Sequence, residues 1–283
     1  MRPKVRTIVL VLAVILIVWL IKFYFKFPSA DIDIINIILT LSSILFGFLA
    51  GFFISELWTR YTEIRSLQGM FSSDSLNMIK CAEHFYNNKN FKKEFRGSVE
   101  AAAVANEIVE WDEGQLCLPY VRAVGDTFKL ITIKNQKDAV YFEKLIDGYD
   151  GFVESTVRLD MLGKERLFSS EWVIISLLSL VMAFSVLFLD ASNFFSKVIV
   201  LTFPVIITLA LSIIYDLDTL MWSKETISLE PNAKLFDAIG VRRVYLKQKE
   251  SFISHSTKDY RTEEDLVGDL KQIYLDIIKQ REP

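Results

Sequence analysis

The chain contains 283 residues, 52% of them hydrophobic, and carries a formal net charge of −3 at pH 7. This acidic balance excludes the basic face that a nucleic-acid-binding protein would carry. The sequence holds no zinc-ligand spacing, phosphate-binding glycine loop or nucleophile elbow, so we predict no catalytic residue, no metal and no cofactor. The two cysteines, Cys81 and Cys117, form no CxxC pair, and we expect both to be reduced thiols.

Four apolar runs hold the hydrophobic excess, and each is long enough to cross a bilayer as a helix. They cover about residues 7–25, 32–54, 172–189 and 198–215. The first run follows three basic residues, as a signal peptide would, but no small-residue cleavage site follows it, so we predict a retained span. Pro204 lies inside the fourth run and is expected to kink that helix.

The basic residues that flank these runs predict the orientation of the chain. Arg60 and Arg65 follow the second run, and a further basic group follows the fourth, whereas the short connections at 27–31 and 190–196 are nearly free of basic residues. We therefore expect a multi-pass protein of the plasma membrane with both termini in the cytoplasm. Its predicted parts are residues 1–54 (membrane helices 1 and 2), 55–170 (a cytoplasmic helical segment), 171–215 (membrane helices 3 and 4) and 216–283 (a cytoplasmic tail).

The polar segment between the second and third runs is predicted to be helical throughout, which makes the chain an all-α membrane protein. The second span is expected to continue without a break to about residue 85. Further helices are predicted at about 92–111, 118–133 and 137–162. In the tail, residues 241–246 are expected to be extended, and residues 262–280 to form a last helix with a capped acidic start.

A line of bulky apolar residues at Ile44, Phe48 and Phe52 runs along the second span. A spacing of four places them on one slowly drifting stripe, with successive side chains about 6 Å apart along the helix axis. If several copies of the helix surround a symmetry axis, the stripe forms stacked apolar rings, which can close a pore by dewetting. On spacing alone, packing against lipid or against another helix is the more common role of such a stripe.

Small residues at Ser43, Gly47 and Gly51 occupy a neighbouring face of the same helix. Gly47 and Gly51 form the small-x3-small pattern that lets membrane helices approach closely, and Ser43 extends it. A tight ring of helices would need such a face. The pattern is nevertheless common in membrane helices and indicates packing rather than conduction.

The segment beyond the second span carries an aromatic and charged motif made of Ser55, Trp58, Arg60, Tyr61, Glu63 and Arg65. Trp58 and Tyr61 suit the membrane interface. Arg60 and Glu63 lie three residues apart and are expected to pair, and Arg65 is expected to pair with an acidic residue of another helix or with a lipid phosphate. A belt of this kind is also ordinary at the cytoplasmic end of a membrane helix.

The run from Gly51 to Arg65 resembles the end of the second membrane helix of bestrophins. Prokaryotic bestrophins show a similar Gly-Phe pair, followed by an aromatic residue, an arginine, an aromatic residue and Glu-x-Arg. The order of two spans, a long cytoplasmic helical segment, two spans and a cytoplasmic tail is also similar. The resemblance implies a homopentamer with the second span around its axis and a pore neck at Ile44, Phe48 and Phe52.

The chain is more similar still to an uncharacterised bacterial and archaeal group called bestrophin-like. The triplets Arg158-Leu-Asp160 and Asp216-Leu-Asp218 match the pattern of that group. Animal bestrophins carry a long acidic run that binds calcium near the end of the last span, where this chain has only two carboxylates. We therefore predict no calcium site, and we expect Asp216 and Asp218 to be solvated at a helix end.

These observations predict a bestrophin-like oligomeric channel subunit that conducts monovalent ions passively, with membrane lipid and further copies of itself as partners. Acidic residues at the outer turns, such as Asp31 and Asp33, favour cations by surface potential. The alternative is a non-conducting membrane scaffold or sensor whose cytoplasmic helical segment binds a partner. An enzyme is disfavoured because the central parts of the four spans carry no ionisable residue.

Overall fold

The computed structural model describes residues 32–85, 88–108, 117–188, 194–220, 229–238, 243–245 and 260–262, together with helical positions 13, 16, 17, 20 and 24. The chain divides into two compact units. Unit 1 comprises Met1–Tyr61 and Arg166–Met221, and unit 2 comprises Thr62–Glu165 and Trp222–Pro283.

Helices make up nearly all of the described chain. They are α1 (Ile32–Glu83), α2 (Lys89–Ile108), α3 (Cys117–Asp126), a short 3-10 helix (Thr127–Leu130), α4 (Gln136–Lys164), α5 (Ser169–Phe188), α6 (Phe194–Asp218) and α7 (Leu229–Ala238). The all-α prediction is confirmed. The tail adds one small parallel pair of strands, β1 (Arg243–Tyr245) and β2 (Tyr260–Thr262). Strand β1 lies within the stretch expected to be extended. Of the last helix predicted at 262–280, only Thr262 is described, and it ends strand β2; the rest falls outside the described residues.

Helix α1 is a single helix of 52 residues, about 78 Å long. It contains no proline, and its glycines are isolated, so nothing in its sequence interrupts the backbone hydrogen bonds. It ends in tighter turns, in which His84 N donates to Cys81 O at 3.1 Å and Phe85 N donates to Ala82 O at 3.3 Å. The predicted continuation of the second span to about residue 85 therefore agrees with the structure.

Three of the described helices, α1, α5 and α6, are long and apolar enough to cross a membrane. The first predicted span, residues 7–25, lies mostly outside the described residues. Pro204 lies inside α6, and the hydroxyl of Thr208 donates to its carbonyl at 2.7 Å. Beyond the end of α6, Leu220 adopts a left-handed backbone with φ of 52°.

Unit 1 has a core formed by one face each of α1, α5 and α6. Helix α1 contributes an apolar row at steps of three and four residues, as expected for the buried side of a helix. The core side chains are Phe46, Ala50, Phe53, Leu57, Ile175, Met182, Ile207, Ile214 and Leu217.

Unit 2 has a larger core, and aromatic rings dominate it. The rings of Phe71 and Phe152 lie 4.6 Å apart, and the ring of Phe91 contacts those of Phe85 and Phe95 at 5.7 Å and 5.3 Å. Helices α1 and α4 approach closely at glycines of α4: a Cβ added to Gly148 would lie 2.9 Å from Met78 Cγ. Unit 2 thus has the dense interior that is typical of protein cores.

Candidate functional site

Helix α1 presents two different apolar faces within unit 1. Phe46, Ala50 and Phe53 are buried against α5 and α6. Residues two positions apart lie about 200° apart around a helix, so Phe48 points away from both Phe46 and Ala50. Unit 1 therefore uses one side of α1 for its described core, and the bulky residues on the opposite side of this helix are exposed.

The predicted apolar stripe lies on this uncovered side. Ile44 is 64% exposed, Phe48 75% and Phe52 56%. Phe48, the middle residue, is the most exposed of the three. The structure thus brings the three residues together on one face, where they are available to lipid or to another copy of the chain, and their role as a pore neck stays a prediction.

The small-residue face adjoins the stripe. Gly47 and Gly51 are exposed, and no described atom lies within 4 Å of a Cβ added to either glycine. Ser43 is half-buried, and its hydroxyl donates to Thr40 O at 2.9 Å. The glycines therefore do not serve helix packing inside the described protomer, and any close approach that they permit involves a surface outside it.

The aromatic motif after the stripe has an exposed and a buried member. Trp58 is exposed and stacks on the buried Tyr61, with ring centroids 5.2 Å apart and ring planes 23° apart. The Ser55 carbonyl accepts a hydrogen bond from the Thr59 hydroxyl at 2.9 Å. Arg65 lies exposed in unit 2, so its expected pairing with an acidic residue or a lipid phosphate remains a prediction.

Arg60 is buried, with only 7% of its surface exposed. Its Nη1 donates to the backbone carbonyl of Asp218, the last residue of α6, at 3.3 Å. The last carbonyls of a helix lack partners within the helix and carry its negative dipole end, so a guanidinium there is favourable. The buried position of Arg60 is thus explained by an acceptor distant in sequence.

The expected pairing of Arg60 with Glu63 is wrong. Glu63 Oε1 instead accepts from Arg158 Nη2 at 2.5 Å, within unit 2. Arg60 lies on the buried side of α1, where only a desolvated acceptor can compensate its charge, whereas Glu63 lies at the edge of that side. Arg60 therefore donates to the Asp218 carbonyl, and Glu63 accepts from Arg158.

Asp218 joins four groups of unit 1. Its backbone carbonyl also accepts from Arg166 Nη1, and its carboxylate accepts from Leu167 N at 2.8 Å and from Trp172 Nε1 at 3.3 Å. We call these five residues, Arg60, Arg166, Leu167, Trp172 and Asp218, the Asp218 junction. It connects α1, the start of α5 and the end of α6.

The expectation that Asp216 and Asp218 are solvated at a helix end is wrong, because both are buried. The donors already on the Asp218 carboxylate, a backbone N–H and an indole N–H, explain how it is accommodated. Among the described residues, no group of three or more His, Cys, Asp or Glu side chains is placed to hold a metal ion.

Three members of the Asp218 junction, Arg166, Leu167 and Trp172, were missed by sequence reasoning. Arg166 and Trp172 lie just before and just inside α5, 52 and 46 residues from Asp218. A signal was present, because a carboxylate at the end of an apolar run needs nearby donors. Nothing in the local pattern, however, identifies those donors.

The cysteines lie in unit 2. Both are free thiols. Burial raises the pKa of Cys117 to about 12, and the nearby Asp160 carboxylate acts in the same direction. Burial also raises the pKa of Cys81, against the opposing effect of Lys144. Both thiols therefore resist conversion to the reactive thiolate at neutral pH.

Comparison with known protein families matches the bestrophin-like domain over residues 8–220. The matched region includes the stripe, the small-residue face and the Asp218 junction. Comparisons of the chain with curated proteins and with solved structures find no match.

Proposed function

The chain belongs to the bestrophin-like family, and we propose that it is a subunit of an oligomeric ion channel whose pore is lined by α1. One observation carries the proposal: Ile44, Phe48 and Phe52 are exposed on the side of α1 opposite its packed side. In the proposed channel, this side meets the same side of sister subunits around the pore axis. The protein is then a multi-pass plasma-membrane protein with its termini in the cytoplasm.

The neighbouring glycines favour a tight ring over a purely lipid-facing role for this side. Gly47 and Gly51 leave open space that a sister helix can enter, whereas contact with fluid lipid chains does not require such a gap. Three side chains at steps of four residues give an apolar constriction about 12 Å long. Water wets such a constriction poorly, so small changes in its width can open or close it.

The neck itself carries no charge and does not select the sign of the ion. Asp33 is exposed in the first turn of α1 and raises the local concentration of cations by surface potential. Monovalent cations are therefore the proposed ions. No catalytic step is part of the proposed function.

Ion flux from proteoliposomes tests the proposal. The unmodified protein should conduct, and Phe48→Ala and Phe52→Ala should each increase the flux, because they widen the apolar constriction. Phe184→Ala is the matched control, since Phe184 is 52% exposed on α5, outside the proposed neck. Absence of flux from well-assembled unmodified protein, or an equal increase with Phe184→Ala, would contradict the proposal.

Oligomeric state provides a second test. Light scattering of the detergent-solubilised protein should give a multimer, with five subunits expected from the resemblance to bestrophins. A monomer that persists across several detergents and in lipid nanodiscs would contradict a shared pore.

A groove in unit 2 supports the alternative function of a membrane scaffold or sensor. It has a volume of about 690 Å³, with Ile79 and Phe95 in its walls. Its charged lining is mainly basic: Lys89, Lys92, Lys93 and Arg96, against Glu83 and Glu100. An acidic partner segment with apolar side chains would complement it. Reversing Lys89 and Lys93 to glutamate separates the two functions, because it should abolish partner binding for a scaffold and leave the ion flux of a channel unchanged.

A further inference from the structure

We propose that the Asp218 junction positions α1 and so sets the fraction of time that the pore is open, an inference that rests on the proposed channel function. Arg60 follows Phe52 by eight residues on one unbroken helix, a distance of about 12 Å. A rotation of α1 at Arg60 must therefore also rotate the stripe. Arg60 is the residue of the junction that lies on the proposed pore helix.

The contact between Arg60 and α6 is a buried hydrogen bond that is either made or broken. Arg60 is almost fully buried, and its guanidinium donates to the Asp218 carbonyl, which also accepts from Arg166. If α1 turned away, the Arg60 charge would lose an acceptor in a place that water hardly reaches. The helix is therefore expected to occupy defined positions, with this contact made or broken, rather than a continuous range.

The carboxylate of Asp218 extends the same connection to α5. Leu167 N and Trp172 Nε1 donate to its two oxygens, at the point where α5 begins. Two residues later, Leu220 adopts a left-handed backbone, which a leucine tolerates only when its surroundings impose it. The end of α6 is thus a constrained structure from which α1 and α5 take their positions.

The neck and the junction should affect different properties of a channel. Side chains of the stripe determine how wide the open pore is and hence its unitary conductance. Arg60 and Asp218 do not belong to the stripe, so they influence conduction only through the position of α1. Asp218 and Arg60 are accordingly positioning residues, and their signature is a change in open probability at constant unitary conductance.

Single-channel recording in planar bilayers tests the inference with Arg60→Lys and Trp172→Phe. Lysine keeps the charge but loses the planar donor group, and phenylalanine keeps the ring but loses the N–H that reaches Asp218. Each variant should shift the ratio of open to closed time by about threefold to tenfold, the effect of one hydrogen bond. Trp58→Phe is the matched control, since Trp58 lies on the same helix two residues before Arg60 and is not a member of the junction, and it should leave the ratio unchanged.

The outcomes separate this inference from the proposed function. If the unmodified protein conducts and Phe48→Ala raises its unitary conductance, but the two junction variants match Trp58→Phe, the inference is overturned and the channel stands. A junction variant that alters unitary conductance at constant open probability also overturns it. Absence of current from the unmodified protein overturns both. If Arg60→Lys fails to assemble, Trp172→Phe, which keeps the ring, decides the question.

Discussion

The two units of this protein treat their large apolar side chains in opposite ways. Unit 2 buries them, as Phe71 and Phe152 show, and exposes mainly polar residues. Unit 1 leaves bulky side chains uncovered on all three of its described helices, including Phe48 on α1 and Phe184 on α5. Burial away from water explains the interior of unit 2, whereas the exposed apolar surface of unit 1 suits an apolar surrounding rather than water.

The largest expected effect comes from truncating the same residue type in each unit. Phe71→Ala removes a fully buried ring that packs on Phe152 and should destabilise the protein by about 3–5 kcal/mol. Phe48→Ala removes a ring that is mostly uncovered and should change protomer stability by less than about 0.5 kcal/mol. Denaturant unfolding in detergent, below the concentration at which oligomers form, measures both. Equal losses would show that the two units do not differ in the way described.

A second comparison replaces one glycine by alanine in each unit, Gly47 in unit 1 and Gly125 in unit 2. Gly47→Ala meets no described atom within 4 Å, so it should leave the protomer intact and weaken the oligomer by about tenfold in its dissociation constant. Gly125→Ala should destabilise unit 2, because its Cβ would lie 2.6 Å from the hydroxyl oxygen of Tyr149, whose ring is rigid. Light scattering and thermal unfolding distinguish the two results. Unchanged assembly of Gly47→Ala would exclude close packing at that glycine.

A smaller effect is expected from the ion pair between Glu63 and Arg158 in unit 2. Both side chains are partly exposed, so a double-mutant cycle with Glu63→Gln and Arg158→Gln should give a coupling of about 0.2–1 kcal/mol that decreases with added salt. Replacing the buried Arg60 should disturb unit 1 more strongly, since the backbone carbonyl of Asp218 would lose a charged donor at a buried position. A coupling at Glu63 that is independent of salt would contradict this account of the pair.

The smallest expected effect concerns Asp74 of unit 2, where burial raises the pKa of the carboxyl above 3.8. Below the pKa of the unfolded chain, Asp74 is protonated in both states and the burial costs little. As the pH rises through the raised folded pKa, the folded protein must carry the buried charge, and stability is lost. Asp74→Asn should therefore gain stability relative to the unmodified protein between pH 4 and pH 7. A constant difference across that range would contradict the prediction.

The membrane helices and the continuity of α1 were predictable from the sequence for simple physical reasons. Apolar runs of sufficient length mark the spans, and residues 55–85 contain no proline that would end the helix. Within unit 2, polar and apolar residues separate by helix face because that unit excludes water from its core. Local composition alone is therefore enough to predict the apolar spans and the unbroken α1.

The contacts of the candidate site were harder to predict from the sequence than the helices. In unit 1 both sides of α1 are apolar, so periodicity identifies the stripe at Ile44, Phe48 and Phe52 without showing which side is packed. The partner of Arg60 lies 158 residues away, and a neighbour such as Glu63 appears equally suitable until the fold is known. Asp218 was misassigned for the same reason, since its donors come from another part of the chain.

Crosslinking at position 48 tests most directly whether the uncovered side of α1 faces sister subunits. In a background with Cys81→Ser and Cys117→Ala, a single Phe48→Cys would be treated in membranes with a short bifunctional maleimide. Phe184→Cys, on the exposed side of α5 and outside the proposed neck, would serve as the comparison. We expect covalent multimers from Phe48→Cys and none from Phe184→Cys. Monomers alone from Phe48→Cys, with the cysteine shown to be labelled, would contradict the proposed pore.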